Sequence, residues 1–237
     1  MPALRIRRNP WLHAGAALAL GGLILATHHT AHADPPVAVP PPAYNPAGNA
    51  ASETATLSGG CFWGMQGVYE HVKGVEHVVS GYTGGAAATA KYEIVSTGST
   101  GHAESVQITF NPKVISYGQI LQIYFAVAAD PTELNYQGPD SGTQYRSEIW
   151  YSSPAQQTIA ADYMAQLTSA HVFAAPIVVR VDPAKPFYPA ESYHQDFLVL
   201  HPDNPYIAVN DMPKVRNLKS MFPEFYRATP VTVLPPG

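Results

Sequence analysis

One cysteine stands in 237 residues, Cys61, inside Ser58-Gly59-Gly60-Cys61-Phe62-Trp63-Gly64. With no second cysteine it cannot close a disulfide within the chain. A thiol attacks as its thiolate, and a strand–Gly-Gly–Cys–helix arrangement puts Cys61 at a helix N-terminus, where unpaired N–H groups and the helix dipole favour an anion. Gly59 and Gly60 permit a tight turn and close approach by a ligand. Phe62 and Trp63 add apolar surface beyond what thiolate chemistry needs, suited to a small group such as a methyl. Free cysteine is also commonly buried and inert, so both readings of this stretch stand.

Glu104, in Gly101-His102-Ala103-Glu104-Ser105, is the second candidate. Strand parity sets it on the same face as Val106, Ile108 and Phe110. An inward carboxyl at a cleft is desolvated, its pKa rises, and it can serve as a general acid worth ~10²–10⁴ in rate. Lying at the start of its strand, it can equally bend into solvent. His102-Ala103-Glu104 resembles half of a zinc-deaminase signature, but the Pro-Cys-x-x-Cys half is missing. A cysteine hydrolase would need a histidine partner. His102 and His194 are available, and nothing in the sequence pairs either with Cys61.

These residues need a scaffold. Residues 54–60 read as a strand ending in a glycine turn. Phe62, Met65, Val68, Tyr69 and Val72 recur at helical spacing, with Gly74 as a stop. Residues 75–85 read as a strand running into a Gly-rich turn, and 104–110 alternate strictly. Ser116 caps a helix through Phe125, 144–152 alternate again, and Ser153-Pro154 with Gln156 opens a helix in a capping-box pattern. Residues 176–182 form a last strand. The order β-α-β-β-α-β, then a helix and a strand, matches the ferredoxin-like split unit. The expectation is an α+β two-layer sandwich with a mostly loop, Pro-rich C-terminal extension from about residue 183.

The chain ends read differently. Arg5, Arg7 and Arg8 precede an apolar run from Ala14 to Ala26, and Ala31-His32-Ala33 has the small-x-small form of a signal-peptidase site. The run is shorter than the ~20 residues that span a bilayer. Residues 1–33 therefore read as a signal peptide, with export to the periplasm or medium and no stable membrane insertion after cleavage. Residues 34–52 read as a Pro/Ala-rich linker, 53–227 as one catalytic domain and 228–237 as a flexible tail. A net charge of -4 leaves no basic footprint for nucleic acid.

Over residues 54–226 the chain resembles peptide methionine sulfoxide reductase A. Gly60-Cys61-Phe62-Trp63-Gly64 is similar to that family's nucleophile motif, and residues 81–85, 100–104, 137–147 and 187–197 follow in its order. The resemblance implies that Cys61 attacks the sulfoxide sulfur and that Phe62 and Trp63 hold the methyl group. It makes Glu104 the proton donor to the oxygen, and Tyr92 and Tyr145 the hydroxyls that bond it. Asp140 matches an aspartate near the site, and Tyr193 and His194 fall in the C-terminal site motif, read as substrate-binding. It also implies the S-epimer as substrate, free or in oxidised proteins, no metal or organic cofactor, and a monomer. Two departures matter. Ala129 stands where the family often has histidine, and residues 204–215 carry no resolving cysteine. The expected reductant is then an external thiol: a thioredoxin-like protein, a glutaredoxin-like protein or a small thiol. The rival readings are a cysteine hydrolase and a noncatalytic domain that binds methionine-rich or oxidised segments.

Overall fold

The computed structural model describes residues 35–234. The signal-peptide reading of 1–33, Asp34 and the last three residues lie outside them. In chain order the first half forms β1 (Glu53–Ser58), α1 (Phe62–Glu70), β2 (Val75–Thr83), α2 (Tyr92–Val95), β3 (Ala103–Phe110) and α3 (Tyr117–Ile123). The second half adds β4 (Tyr136–Gln137), β5 (Asp140–Ser141), β6 (Glu148–Tyr151), α4 (Pro154–Ser169), β7 (Arg180–Pro183) and β8 (Phe187–Pro189). It closes with α5 (Phe197–Leu200) and α6 (Met212–Met221).

The sheet order is β7-β6-β1-β3-β2-β8. Its central four, β6-β1-β3-β2, are antiparallel throughout, the arrangement the split unit requires. β7 joins one edge parallel to β6, and β8 joins the other antiparallel to β2. The α+β reading holds. Alternation in β3 turns Val106, Ile108 and Phe110 into the core, where each buried side chain of this kind is worth ~1.5–3 kcal/mol. Ser116 caps α3 in a full capping box, and Ser153 accepts the Gln156 N–H at the start of α4. Residues 144 and 145, expected to open a strand, lie in a 3-10 turn (Thr143–Tyr145) instead, and β6 begins only at Glu148.

The C-terminal extension holds more regular structure than its proline content suggests. β8 lengthens the sheet and α6 runs ten residues. Together with α5, α6 covers the outer side of α1, so that α1 is buried on nearly every side. Two glycines of α1 make this approach possible. A Cβ on Gly67 would stand 2.6 Å from Leu198 Cδ1, and one on Gly64 would collide with the Asp211 carboxylate.

Neither flank is loose where it is described. Residues 35–52 are extended, as the proline content predicts, but they lie on the domain rather than apart from it. Val37 N–H donates to Ala126 O, Tyr163 Oη to Pro40 O, Gln166 Nε2 to Pro41 O, and Gln166 Oε1 accepts from Ala43 N–H. Val39 is buried among the core residues, so the described part of the segment read as a linker packs on the domain. Residues 228–234, read as flexible, are held too: the Val233 and Leu234 N–H groups both donate to the Asp196 carboxylate. In both places helices supply partners that composition cannot reveal.

Candidate active site

Cys61 is the N-cap of α1, reached through Gly60 at φ +85°, a left-handed conformation that glycine adopts without strain. A Cβ there would also press 2.5 Å from the Gln137 side chain. The thiol therefore stands where β1 hands the chain to α1, partly exposed.

Glu104 has not bent into solvent. It is 3% exposed, and its Oε2 accepts the Phe62 backbone N–H at 3.0 Å. The first free donor of α1 thus serves the acid and not the sulfur. Burial pushes the Glu104 carboxyl up to about 8, with Asp140 and Asp211 adding to the rise and the Phe62 N–H opposing it. At neutral pH the group is mostly protonated, as a proton donor must be.

The thiol behaves otherwise than expected. Burial, then the charges of Asp211, Glu104 and Asp140, raise Cys61 well above its ordinary value. The helix N-terminus favours a thiolate, but three carboxyl groups and a partly dry site outweigh it. The resting side chain is a neutral thiol.

The predicted tyrosines converge on this centre. Tyr92 opens α2, and Tyr145 ends the 3-10 turn before β6. Burial raises both phenols, and Glu104 and Cys61 push both further, so their hydroxyls lie within electrostatic reach of acid and sulfur. They stay protonated and able to donate. Glu191 fixes the Tyr92 side of the site, taking the Tyr92 N–H at 3.0 Å and the Tyr82 hydroxyl at 2.8 Å.

The aromatic floor is built from both halves of the fold. Trp63 stacks on Phe197 with ring centroids 3.9 Å apart and 13° between planes. Its indole N–H donates to His194 Nδ1 at 3.1 Å. His194 is buried against Phe62, Tyr92 and Tyr193 as well, and burial lowers its pKa, which keeps the imidazole neutral. Tyr193 is 55% exposed and forms the rim. His102 is spent elsewhere, between the Gly85 N–H and the Ala86 carbonyl. Neither histidine is paired with Cys61, so a cysteine hydrolase has no base here.

Asp140 accepts a hydrogen bond from the Tyr206 hydroxyl, and burial holds its pKa above the usual range. Sequence reasoning missed Tyr206, Asp211 and Lys214, although all three fall in the stretch noted only for lacking a cysteine. Asp211 followed by Met212-Pro213 has the form of a helix start, a signal that gives the N-cap and not the direction of its side chain. Gly64 was the other clue, since only a missing Cβ admits the Asp211 carboxylate.

A lone thiol, a protonated carboxyl beside it, two phenols and an aromatic floor define a cysteine-based oxidoreductase acting on an oxidised thioether. Comparison with known proteins agrees. A family model described as peptide methionine sulfoxide reductase matches residues 53–225. The chain is 60% identical over 183 residues to peptide methionine sulfoxide reductase MsrA 2 of Mesorhizobium japonicum, covering 77% of this chain and 94% of that one. It is 41% identical over 214 residues to MsrA 2 of Synechocystis, covering 90% and 99%. Among solved structures, yeast Mxr1 in reduced form superposes with a TM-score of 0.60 at 31% identity, covering 68% of this chain and 92% of that one. The chain belongs to the peptide methionine sulfoxide reductase family. It reduces methionine S-sulfoxide, free or in proteins, as a thiol-dependent peptide-methionine (S)-S-oxide reductase.

Proposed function

We propose that the residues around Cys61 divide the reaction as follows. The substrate's methyl group rests on Phe62 and Trp63, with Tyr193 and His194 closing the side and rim. Its S=O group points at Glu104, Tyr92 and Tyr145, and Asp140 shapes the opposite wall. Glu104 shares its proton with the oxygen, and the sulfur becomes electrophilic. The Cys61 sulfur attacks, oxygen passes to it, and methionine departs. The thiol proton ends on the sulfenic acid, Cys61–S–OH, and Glu104 recovers its own. The observation that carries this reading is the Glu104–Phe62 N–H bond of 3.0 Å, which anchors a protonated acid one residue from the nucleophile.

The neutral resting thiol fits the scheme. It is ionised only when a polarised sulfoxide offers its oxygen as proton acceptor, and meanwhile it resists adventitious oxidation. Since Cys61 is the sole cysteine of these 237 residues, its sulfenic acid cannot form a disulfide within them. An external thiol, from a thioredoxin- or glutaredoxin-like protein or a small molecule, reduces it. The Arg-rich start, apolar run and Ala31-His32-Ala33 support export and cleavage before Asp34, with the repaired proteins in the cell envelope or medium and the enzyme acting as a monomer.

The test omits reductant. Excess methionine S-sulfoxide should give one methionine per protein and one added oxygen on Cys61 by mass spectrometry. An unmodified Cys61 and no methionine would overturn the reading.

A further inference from the structure

A cavity of about 20 Å³ lies beside Cys61, lined by Gln137, Asp140, Tyr206, Asn210, Asp211 and Lys214, with exposed Gly138 and Pro139 at its mouth. That volume admits one water-sized group. Asp211 is 1% exposed, and neither of its carboxyl oxygens has a hydrogen-bond partner among the described residues. Its one ion contact is Lys214 Nζ, 3.7 Å from Oδ1. Asp211 closes a π-helical turn, Ile207–Asp211, that runs straight into α6, and its side chain makes no bond to its own helix. Its side chain lies instead against Gly64, on the first turn of α1 beyond Cys61. The Asn210 side-chain oxygen is likewise buried and unpartnered. A buried carboxylate left unsatisfied is costly, and here two elements are arranged to hold one beside the reacting sulfur.

We propose that this cavity receives the hydroxyl of the Cys61 sulfenic acid and that Asp211 is the acid that protonates it as it leaves. The inference rests on the reductase reading. After methionine departs, the S–OH group rotates about Cβ–Sγ into the cavity. A thiolate enters by the vacated substrate pocket and attacks the Cys61 sulfur opposite the S–O bond. The S–S bond forms, the S–O bond breaks, and the oxygen leaves as water with the proton of Asp211. Asp211 regains a proton from solvent past Lys214. A second thiol then releases the Cys61 thiol and a disulfide, so two thiols give one disulfide and one water.

The charges facing Asp211 set its working range. Burial pushes its carboxyl up to about 6, Lys214 pulls it down and Asp140 pushes it up. Cys61, Glu104 and the Tyr206 phenol complete the surroundings. A proton donor of this kind loses effect as pH rises through about 6.

The experiment uses the full chain and its Asp211→Asn and Lys214→Met variants. Each is charged with methionine S-sulfoxide without reductant, and the methionine burst is timed. Dithiothreitol is then added, loss of the sulfenic acid is followed by dimedone quenching and mass spectrometry, and the rate is expressed per thiolate ion across pH. Asp211→Asn should speed the burst, because a negative charge opposing the thiolate is gone. It should slow regeneration at low pH by roughly 10²–10⁴-fold and abolish the fall in rate above about pH 6. Lys214→Met should move that fall to higher pH, since its cation no longer holds Asp211 down. Regeneration at the parental rate, an unmoved pH profile, or burst and regeneration slowed by the same factor would overturn the proposal. Should Asp211→Asn fail to fold, the Lys214→Met profile decides. A parent with no burst would instead sink the reductase reading itself.

Discussion

The two acids beside Cys61 come from different parts of the molecule. Glu104 sits on β3, paired along its length to β1 and β2. Asp211 sits at the head of α6, in the extension beyond the ferredoxin-like core. The first is anchored by a backbone N–H and held near 8; the second has no hydrogen bond among the described residues and is held near 6. Burial raises both carboxyls, and they titrate apart because the Lys214 cation offsets part of that rise at Asp211 while Glu104 has only the Phe62 N–H to oppose it. The wall from the sheet carries the acid proposed to protonate the substrate's oxygen. The wall from the extension packs on α1 through α5 and α6, and it is the stretch in which the resemblance leads one to look for resolving cysteines, absent here. The difference teaches that an acid of the core and an acid of the extension can face one sulfur and still ionise over different pH ranges.

The most severe way to break the comparison is Cys61→Ser, which removes the atom both walls serve; methionine formation should fall to background in a single-turnover assay. Glu104→Gln should slow the burst by ~10²–10⁴, while regeneration of a chemically prepared sulfenic acid changes far less. In the parent, the burst should decline as pH rises through about 8, as Glu104 loses its proton. The same shift appears in stability. Glu104 binds its proton more tightly folded than unfolded, so its contribution is full below the ordinary value of 4.5 and is lost as pH rises to about 8. Denaturant titrations should show Glu104→Gln gaining on the parent by about 1.4 kcal/mol per pH unit across that window.

Trp63→Ala tests the floor shared by the two halves. Losing the stacked ring and the donor to His194 should lower kcat/KM about 10–100-fold, on the order of 1.5–3 kcal/mol, and Trp63→Phe should recover part of it. The smallest effect belongs to the flank laid on the helices. Val39→Ala should cost about 1–2 kcal/mol of stability with the burst unchanged, measured by thermal melting beside the single-turnover assay.

Much of this site is written locally. A solitary thiol behind two glycines, with Phe62 and Trp63 after it, needs no tertiary information to look reactive. Strand parity put Glu104 on the core face, and periods of 2 and 3.6 gave the elements of the core in the right order. These features depend on neighbours a few residues away, where sequence spacing and physical distance agree. The ionisation of Cys61 does not. It depends on Asp211, 150 positions along the chain, so a helix N-terminus that favours a thiolate holds a neutral thiol. Nor does composition tell that prolines 40 and 41 offer their carbonyls to α4, or that Gly64 exists to admit a carboxylate. The sequence by itself marked Cys61 as a candidate nucleophile and Glu104 as a candidate acid, and it laid out the core that carries them. The packing of the extension onto α1 decided how those groups ionise, because charge and burial act through space on whichever residues the fold brings near.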